Sequence, residues 1–323
     1  MRDAIVVAMV FALSLLSVNS VLAEGFFDDR ERGWFWYEEP PAEKADVDIQ
    51  VLAIPGLRTQ VISDYAIAQT EERFDALYIM DIEERDTLNN VVTSSLEQTV
   101  SVSLTVDDFK SRTLDTSFAA AYFPDVVIPD PATQTNVRAA PSVAVIGALA
   151  LNDAVAFPWF APAGFTRGAL QDVNQSTLNL SKNNLDVLYD ADINPITKFP
   201  TSSGLVIFGQ KTLLNAASSL DRVNVRRLLI DIRRKVRQVA DTFLFEPNRG
   251  ETLTRFSAAV SPILTTIQQQ QGLDRFKVLI DTTTTTQADV ENNTIRGKIF
   301  LQPTRSVEFI SLDFVVTNAG AEI

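Results

Sequence analysis

Residues 76–80 read Ala-Leu-Tyr-Ile-Met. Such an unbroken apolar run leaves no side for water, the pattern of a strand covered on both faces in a parallel sheet between helical layers. The sequence keeps alternating on either side of it. Upstream, helical spacing spans Tyr65 to Phe74, and before that Val47, Ile49, Val51 and Ala53 alternate up to Pro55-Gly56, a strand that ends in a turn. Downstream, Leu88, Val91, Val92 and Leu96 recur at a helical period. A strand is expected over Phe118 to Ile128, interrupted at Pro124, and a helix from Pro141, where proline suits the first turn. This alternation predicts an α/β layered domain with a largely parallel sheet. Neither GxGxxG nor GxxxxGK(S/T) follows these strands, so a phosphate-cradling loop is not expected.

Composition narrows the chemistry. The chain has 323 residues, 46% of them hydrophobic and 21% charged, which is enough apolar material for a folded core. It contains no cysteine and no histidine, so disulfides, thiolate metal sites and imidazole bases are out of reach. Catalysis would have to come from convergent acids such as Asp186, Asp190 and Asp192, which are expected instead to cap turns or face solvent. The protein is therefore not expected to be an enzyme, and no cofactor, metal or small-molecule substrate is implied. A net charge of −13 also argues against nucleic acid as the main partner.

One stretch runs against that acidic background. Asp221 to Phe243 reads DRVNVRRLLIDIRRKVRQVADTF. Val225, Leu228, Leu229, Ile232, Val236, Val239, Ala240 and Phe243 share one side of a helix, leaving Arg226, Arg227, Arg233, Arg234, Lys235 and Arg237 for the other faces. Asp221 or Asn224 could cap its start. So dense a basic face suits either solvent or an acidic partner.

Residues 157 to 210 read as an irregular middle ending in a short buried strand, Gly204 to Gly209. A second helical pattern, Phe256 to Ile267, contains Pro262 and should kink or split there. Strands follow over Arg275 to Asp281, Gly297 to Leu301 and Arg305 to Thr317, the first two separated by the polar tract Thr282 to Asn293. In the last, Ile310, Leu312, Phe314 and Val316 face one way and Phe309, Ser311, Asp313 and Val315 the other; a terminal apolar strand needs a sheet to join, its own or a neighbour's.

The N-terminus differs in texture. Met1 to Ala23 has the pattern of a secretory signal, which if functional would direct the chain to the periplasm. An acidic aromatic linker follows over 24–45. GFFDDRERGWFWYEEPP within it resembles the mature start of TraF-like conjugal pilus-assembly proteins, periplasmic members of the thioredoxin-like group.

A broader resemblance covers about residues 46–323. APAGFTRGAL (Ala161 to Leu170), LYDADINPI (Leu188 to Ile196), GLVIFGQKTL (Gly204 to Leu213), the 221–248 stretch and GKIFLQPTRSVEFISLDFVVTNAGA (Gly297 to Ala321) come in the order and spacing of the tail sheath proteins of contractile phages and injection systems. DVDIQVLAIPG and FAAAYFPDVVIPDP resemble the sheath core. The resemblance implies a partial α/β sheath core over 46–160 and an α+β C-terminal sheath domain over 161–323 ending in a strand arm. It implies a structural subunit that polymerises with itself around an inner tail tube and contracts to drive that tube through an envelope. Baseplate and tail terminator proteins are further implied partners, and assembly in the host cytoplasm into the virion tail sheath the implied location. Arg226, Arg227, Arg233, Arg234 and Arg237 would face the tube, and Phe309, Ile310, Leu312, Phe314 and Val316 would form the inter-subunit arm. The family's N-terminal arm and first β-rich region are not matched; the signal-like segment stands in their place. Two other readings are a periplasmic adaptor of a conjugative system and a non-functional fusion or prophage remnant.

Overall fold

The computed structural model describes residues 8–9, 49–92, 99–130, 133, 135–171, 173–200, 202, 204–281, 283–306 and 308. The signal-like segment and linker, apart from residues 8–9, and the arm residues Phe309, Ile310, Leu312, Phe314 and Val316 lie outside them.

Strands β1 (Ala8–Met9), β2 (Val51–Ala53), β3 (Leu77–Asp81), β4 (Ala119–Phe123), β8 (Ile193–Lys198) and β9 (Leu205–Ile207) form one sheet in that order. All neighbours pair in parallel except β8 and β9, which are antiparallel. The run at 76–80 is its centre, and every residue of β3 and β4 is buried. A second, three-stranded sheet, β5 (Val126–Pro129), β6 (Asn136–Ala139) and β7 (Gln175–Ser176), grows out of the end of β4 beyond the cis peptide at Phe123-Pro124. The interruption expected at Pro124 thus separates two strands of different sheets.

Helices α1 (Gln60–Arg73), α2 (Val102–Ser111) and α5 (Lys182–Tyr189) cover one face of the large sheet, where Ile67, Val106, Phe109 and Leu188 meet Tyr78, Met80, Ala121 and Phe123. On the other face α3 (Pro141–Val155) brings Val145, Ile146 and Leu149 onto Leu77, Ile79, Ala120 and Tyr122, joined by Val223 and Ile230 of α6 (Val223–Asp241). The short helix α4 (Gly164–Arg167) leads towards β9. The boundary expected at residue 160 therefore falls within one sheet, since β8 and β9 come from beyond it.

α6 continues into a third core with α7 (Gly250–Gln269). Leu228, Ile232, Val260, Leu264 and Ile267 pack around Trp159 and Leu273, under the antiparallel pair β10 (Leu273–Leu279) and β11 (Lys298–Pro303). Removing one of these leucines to alanine would leave a cavity costing about 2–5 kcal/mol. The polar tract between the two strands carries α8 (Gln287–Glu291), started by a capping box in which Thr286 and Asp289 satisfy each other's backbone amides.

Three expectations are corrected. Residues 86–92 are not helical: the Asp86 carboxylate accepts from the amides of Leu88 and Asn90, both at 2.8 Å, and Arg85 bridges Val91, so a side-chain-capped turn displaces the helix. Helix α7 runs as one helix through Pro262, so the expected split is absent. The proline lies on the exposed side, and the carbonyl four residues back belongs to exposed Ala258, which water can satisfy. The irregular middle contains a regular strand, β8, despite Pro195.

Candidate assembly surface

α6 is two helices in environment. Its first half is enclosed: Val223, Asn224, Val225, Arg226, Arg227, Leu228, Ile230, Asp231 and Ile232 are all buried. Neither expected cap is used. Arg222 occupies the N-cap without a side-chain bond, and Asn224 instead donates to the Trp159 carbonyl at 3.2 Å and to Ser306 Oγ at 3.1 Å.

Arg226 and Arg227 therefore point inward, which corrects their assignment to an outer basic face. Arg226 lies 3.9 Å over the Phe118 ring, and donates to the Ser117 carbonyl at 3.1 Å and to the Ser117 hydroxyl. Burial without a carboxylate partner pulls its pKa down to about 10. Arg227 is 3% exposed and paired with Asp153 of α3. The reason lies in the apolar pattern itself: Val223 and Ile230, outside the assumed core face, widen the buried arc until no outer face remains over the first turns.

The second half opens to solvent. Arg233 and Arg237 are exposed and Arg234 is half-buried with a partner, while Lys235 pairs with Asp231 one turn back at 2.7 Å. Arg233 stacks at 5.0 Å on Phe74, whose ring meets Phe118 edge-on at 5.1 Å. Two cations thus bracket two rings, one guanidinium inside and one outside, and this tethers the outer arginine to the core. Beyond the helix, Leu244 and Phe245 are exposed in the loop to α7.

At the start of α6 the last described residue of the chain is fastened down. Glu308 receives Arg222 Nε at 2.7 Å and Nη2 at 3.0 Å on its two oxygens, Gln210 Nε2 at 3.1 Å and the Tyr189 hydroxyl at 3.4 Å. Burial and the charge of Glu308 push the Tyr189 hydroxyl's pKa up, keeping it a donor. No sequence pattern pairs Glu308 with Arg222, because the four groups come from distant parts of the chain.

The acids weighed as catalytic do not converge on a pocket. Asp186 and Asp190 are exposed, and Asp192 pairs with Lys211 at 2.9 Å. Among the described residues, no group of three or more His, Cys, Asp or Glu could hold a metal. A different carboxylate cluster is buried at the C-terminal ends of β3 and β4, where α/β proteins commonly place a ligand crevice. Here it is closed: Asp81, Glu84 and Asp125 are at most 3% exposed. Asp81 accepts from Ser142 N at 2.8 Å, Ser142 Oγ at 2.7 Å and Gly56 N at 3.1 Å. Arg138 bridges Glu84 and Asp125, and Arg58 adds to Asp125. This is an internal staple holding the small sheet to the large one.

Burial, helped by the Asp125 charge and opposed by Arg58 and Arg138, pushes Glu84 up to about 7. Its folded pKa lies above its unfolded value, so the folded state keeps a proton that the unfolded chain has lost between about pH 4.5 and 7. Stability should fall as pH rises through that window, by on the order of 2 kcal/mol, and level off above it. Glu84→Gln is expected to remove this slope. Urea unfolding of both proteins at pH 5 and pH 7.5 decides the point: an equal pH dependence in the two would refute it.

Comparison with known proteins gives the arrangement its context. No family model matches the chain. The tail sheath protein of Vibrio phage KVP40 is 35% identical over 178 residues, 55% of this chain and 26% of that protein. That of Enterobacteria phage T4 is 32% identical over 178 residues. The sheath of an extracellular contractile injection system, PVC, in its contracted state superposes with a TM-score of 0.68 at 25% identity, over 83% of this chain and 71% of that one. This chain has the contractile sheath fold. A baseplate structure of the anti-feeding prophage matches equally well in fold, TM-score 0.68 over 84% of the chain, at 22% identity. The chain spans about a quarter of the length of the curated phage relatives it matches.

Proposed function

We propose that this chain is the structural subunit of a contractile tail sheath, polymerising with itself around an inner tube and contracting to drive that tube through a target envelope. The observation that carries this reading is the agreement of two independent likenesses: phage sheath sequence over about half the chain, and injection-system sheath fold over most of it. Its geometry suits assembly. The β10–β11 pair has no third strand among the described residues, and β11 alternates inward Ile299 and Leu301 with exposed Phe300, so its edges are open to strand addition. The sequence of 309–316 alternates in a way that suits such an edge, and we assign it to a neighbouring subunit's sheet. Tube contact through α6 falls to its outer half, Arg233 and Arg237, whose rim-type charge pairs contribute about 0.2–1 kcal/mol each and gain strength by repetition along the tube. Baseplate and terminator contacts, and assembly in the host cytoplasm, follow from the same reading.

Negative-stain microscopy of the purified chain tests it, with striated rings or tubes expected. Truncation after Arg305 should leave a folded monomer that no longer polymerises. Arg233→Glu with Arg237→Glu should weaken co-sedimentation with the tube, with no more loss of monomer stability than the Arg233–Phe74 contact accounts for, about 0.5–1 kcal/mol. A full chain that stays monomeric at high concentration would end the sheath reading.

A further inference from the structure

We propose that Glu308 and Arg222 form a latch that fixes where the C-terminal segment leaves the subunit, delivering any pull on that segment to the first turn of α6. Its mechanical meaning rests on the sheath reading above; the latch itself rests on geometry.

The pair is bidentate, two parallel charge-assisted bonds of 2.7 and 3.0 Å, the form in which a carboxylate and a guanidinium hold each other's orientation as well as position. Gln210 and Tyr189 add one donor to each carboxylate oxygen, so both oxygens are shared between two donors. Two residues earlier, Ser306 Oγ accepts from Asn224 of α6 at 3.1 Å. Among the described residues, the chain from β11 to this point is otherwise held at Thr304, by Gly272 and Asp274, and Arg305 between the two anchorages is exposed.

Arg222 is itself immobilised. Its third nitrogen, Nη1, pairs with Asp221 at 3.0 Å, and its backbone bridges Lys211. Val223 N donates to the Gln210 carbonyl at 2.7 Å, Thr212 N to Asp221 at 3.0 Å, and Leu213 N to Ala119 of β4 at 3.0 Å. The receiving end of the latch is therefore tied by backbone bonds to the central sheet and covalently to α6, whose outer half carries Arg233 and Arg237. A solvent-facing ion pair would have no such footing, and its side chains would sample many rotamers. Here Glu308 is an exposed residue, but its side chain and that of Arg222 are 22% and 24% exposed, and it is the four donors and the backbone ties of Arg222 that fix the geometry. The arrangement makes Glu308 a positioning residue: it fixes the point at which the C-terminal segment leaves the subunit.

Limited trypsin digestion of the native full chain reads the latch directly. Arg305 lies between Thr304 and the latch, so cleavage after it requires the 305–308 stretch to lift away. Glu308→Ala and Arg222→Gln are each expected to speed that cleavage about tenfold, the factor that corresponds to losing about 1.4 kcal/mol of local closure. Cutting within β10 at Arg275 and Lys277, and the melting temperature, should stay as in the unaltered protein, which separates local release from general unfolding. An unchanged rate after Arg305 in Glu308→Ala would overturn the latch. Assembly is read separately by sedimentation: Glu308→Ala, with its C-terminal segment intact, should form at least about tenfold less polymer, and polymer yield equal to the unaltered chain would overturn its mechanical role. If the unaltered chain does not polymerise, the sheath reading fails and the trypsin result alone decides the latch.

Discussion

Arg138→Met is expected to lower the free energy of unfolding by about 3–5 kcal/mol, the penalty typical of breaking a buried ion pair by removing one partner. Arg138 is the cation common to Glu84 and Asp125, its side chain is 2% exposed, and it reaches them from β6, a strand of the small sheet. Methionine keeps much of the side-chain volume and removes the charge, so the loss reports electrostatics rather than a cavity. What remains are Asp81, Glu84 and Asp125 around Arg58 alone, all three acids at most 3% exposed, so at a pH above 7, where Glu84 is ionised, their charge is left largely unbalanced. The Arg255–Glu246 pair provides the contrast, since its side chains are 54% and 37% exposed and removal of either partner should cost below about 1 kcal/mol. Equilibrium urea unfolding of both variants measures the difference. A loss below about 1 kcal/mol for Arg138→Met would mean that the cluster rearranges or admits water when its cation goes.

The parts of the fold that the sequence made legible are those written in local pattern. The all-apolar run at 76–80 located the centre of the sheet, and Pro141 marked the first residue of α3. The stretch at Gly204 to Gly209 contained β9, and the 221–243 stretch contained α6. The misses share a different cause, competition between local signals and long-range contacts. Asp86 and Asn90 convert a helical spacing into a turn through side-chain bonds. β8 escaped notice because Pro195 argues against a central strand, yet the loss of one amide is tolerated where Asn194 Nδ2 donates to the Ala121 and Lys211 carbonyls and Lys211 N donates back to Asn194 Oδ1. At the assembly surface, the sequence located the basic helix but not the direction of its charges. Val223 and Ile230 were a local sign that this side of the first turns is buried too, but the partners that receive Arg226 and Arg227 there, Ser117 and Asp153, lie more than seventy positions away. The Asp81, Glu84 and Asp125 cluster was equally hidden, although the acids that follow the apolar runs of β3 and β4 were its one local sign.

Gly168→Ala is expected to destabilise the protein by about 3 kcal/mol, at the upper end of what overpacking usually costs. The residue belongs to APAGFTRGAL, the stretch whose two glycines do different work. Gly164 opens α4 with φ of +83°, a conformation that suits a residue without a side chain. Gly168 has ordinary backbone angles but no room: an added Cβ would stand 2.7 Å from Ala163 Cα, Gly164 N and the Ile207 carbonyl oxygen. All three are backbone atoms, so no rotamer change can relieve the contact. The Ile207 amide bonds to the Gly168 carbonyl at 2.7 Å and the Leu170 amide to Leu205 at 2.9 Å, so moving the turn away would pull at the outer edge of the central sheet. Gly147 makes the matched control. It lies within α3, where an added Cβ would meet nothing within 4 Å, so the same substitution there should stabilise by about 0.5–1 kcal/mol through helix propensity. Melting or urea unfolding of the two variants should therefore move in opposite directions. If Gly168→Ala falls within about 1 kcal/mol of the unaltered protein, the turn is free to shift and close backbone packing is not why glycine stands there.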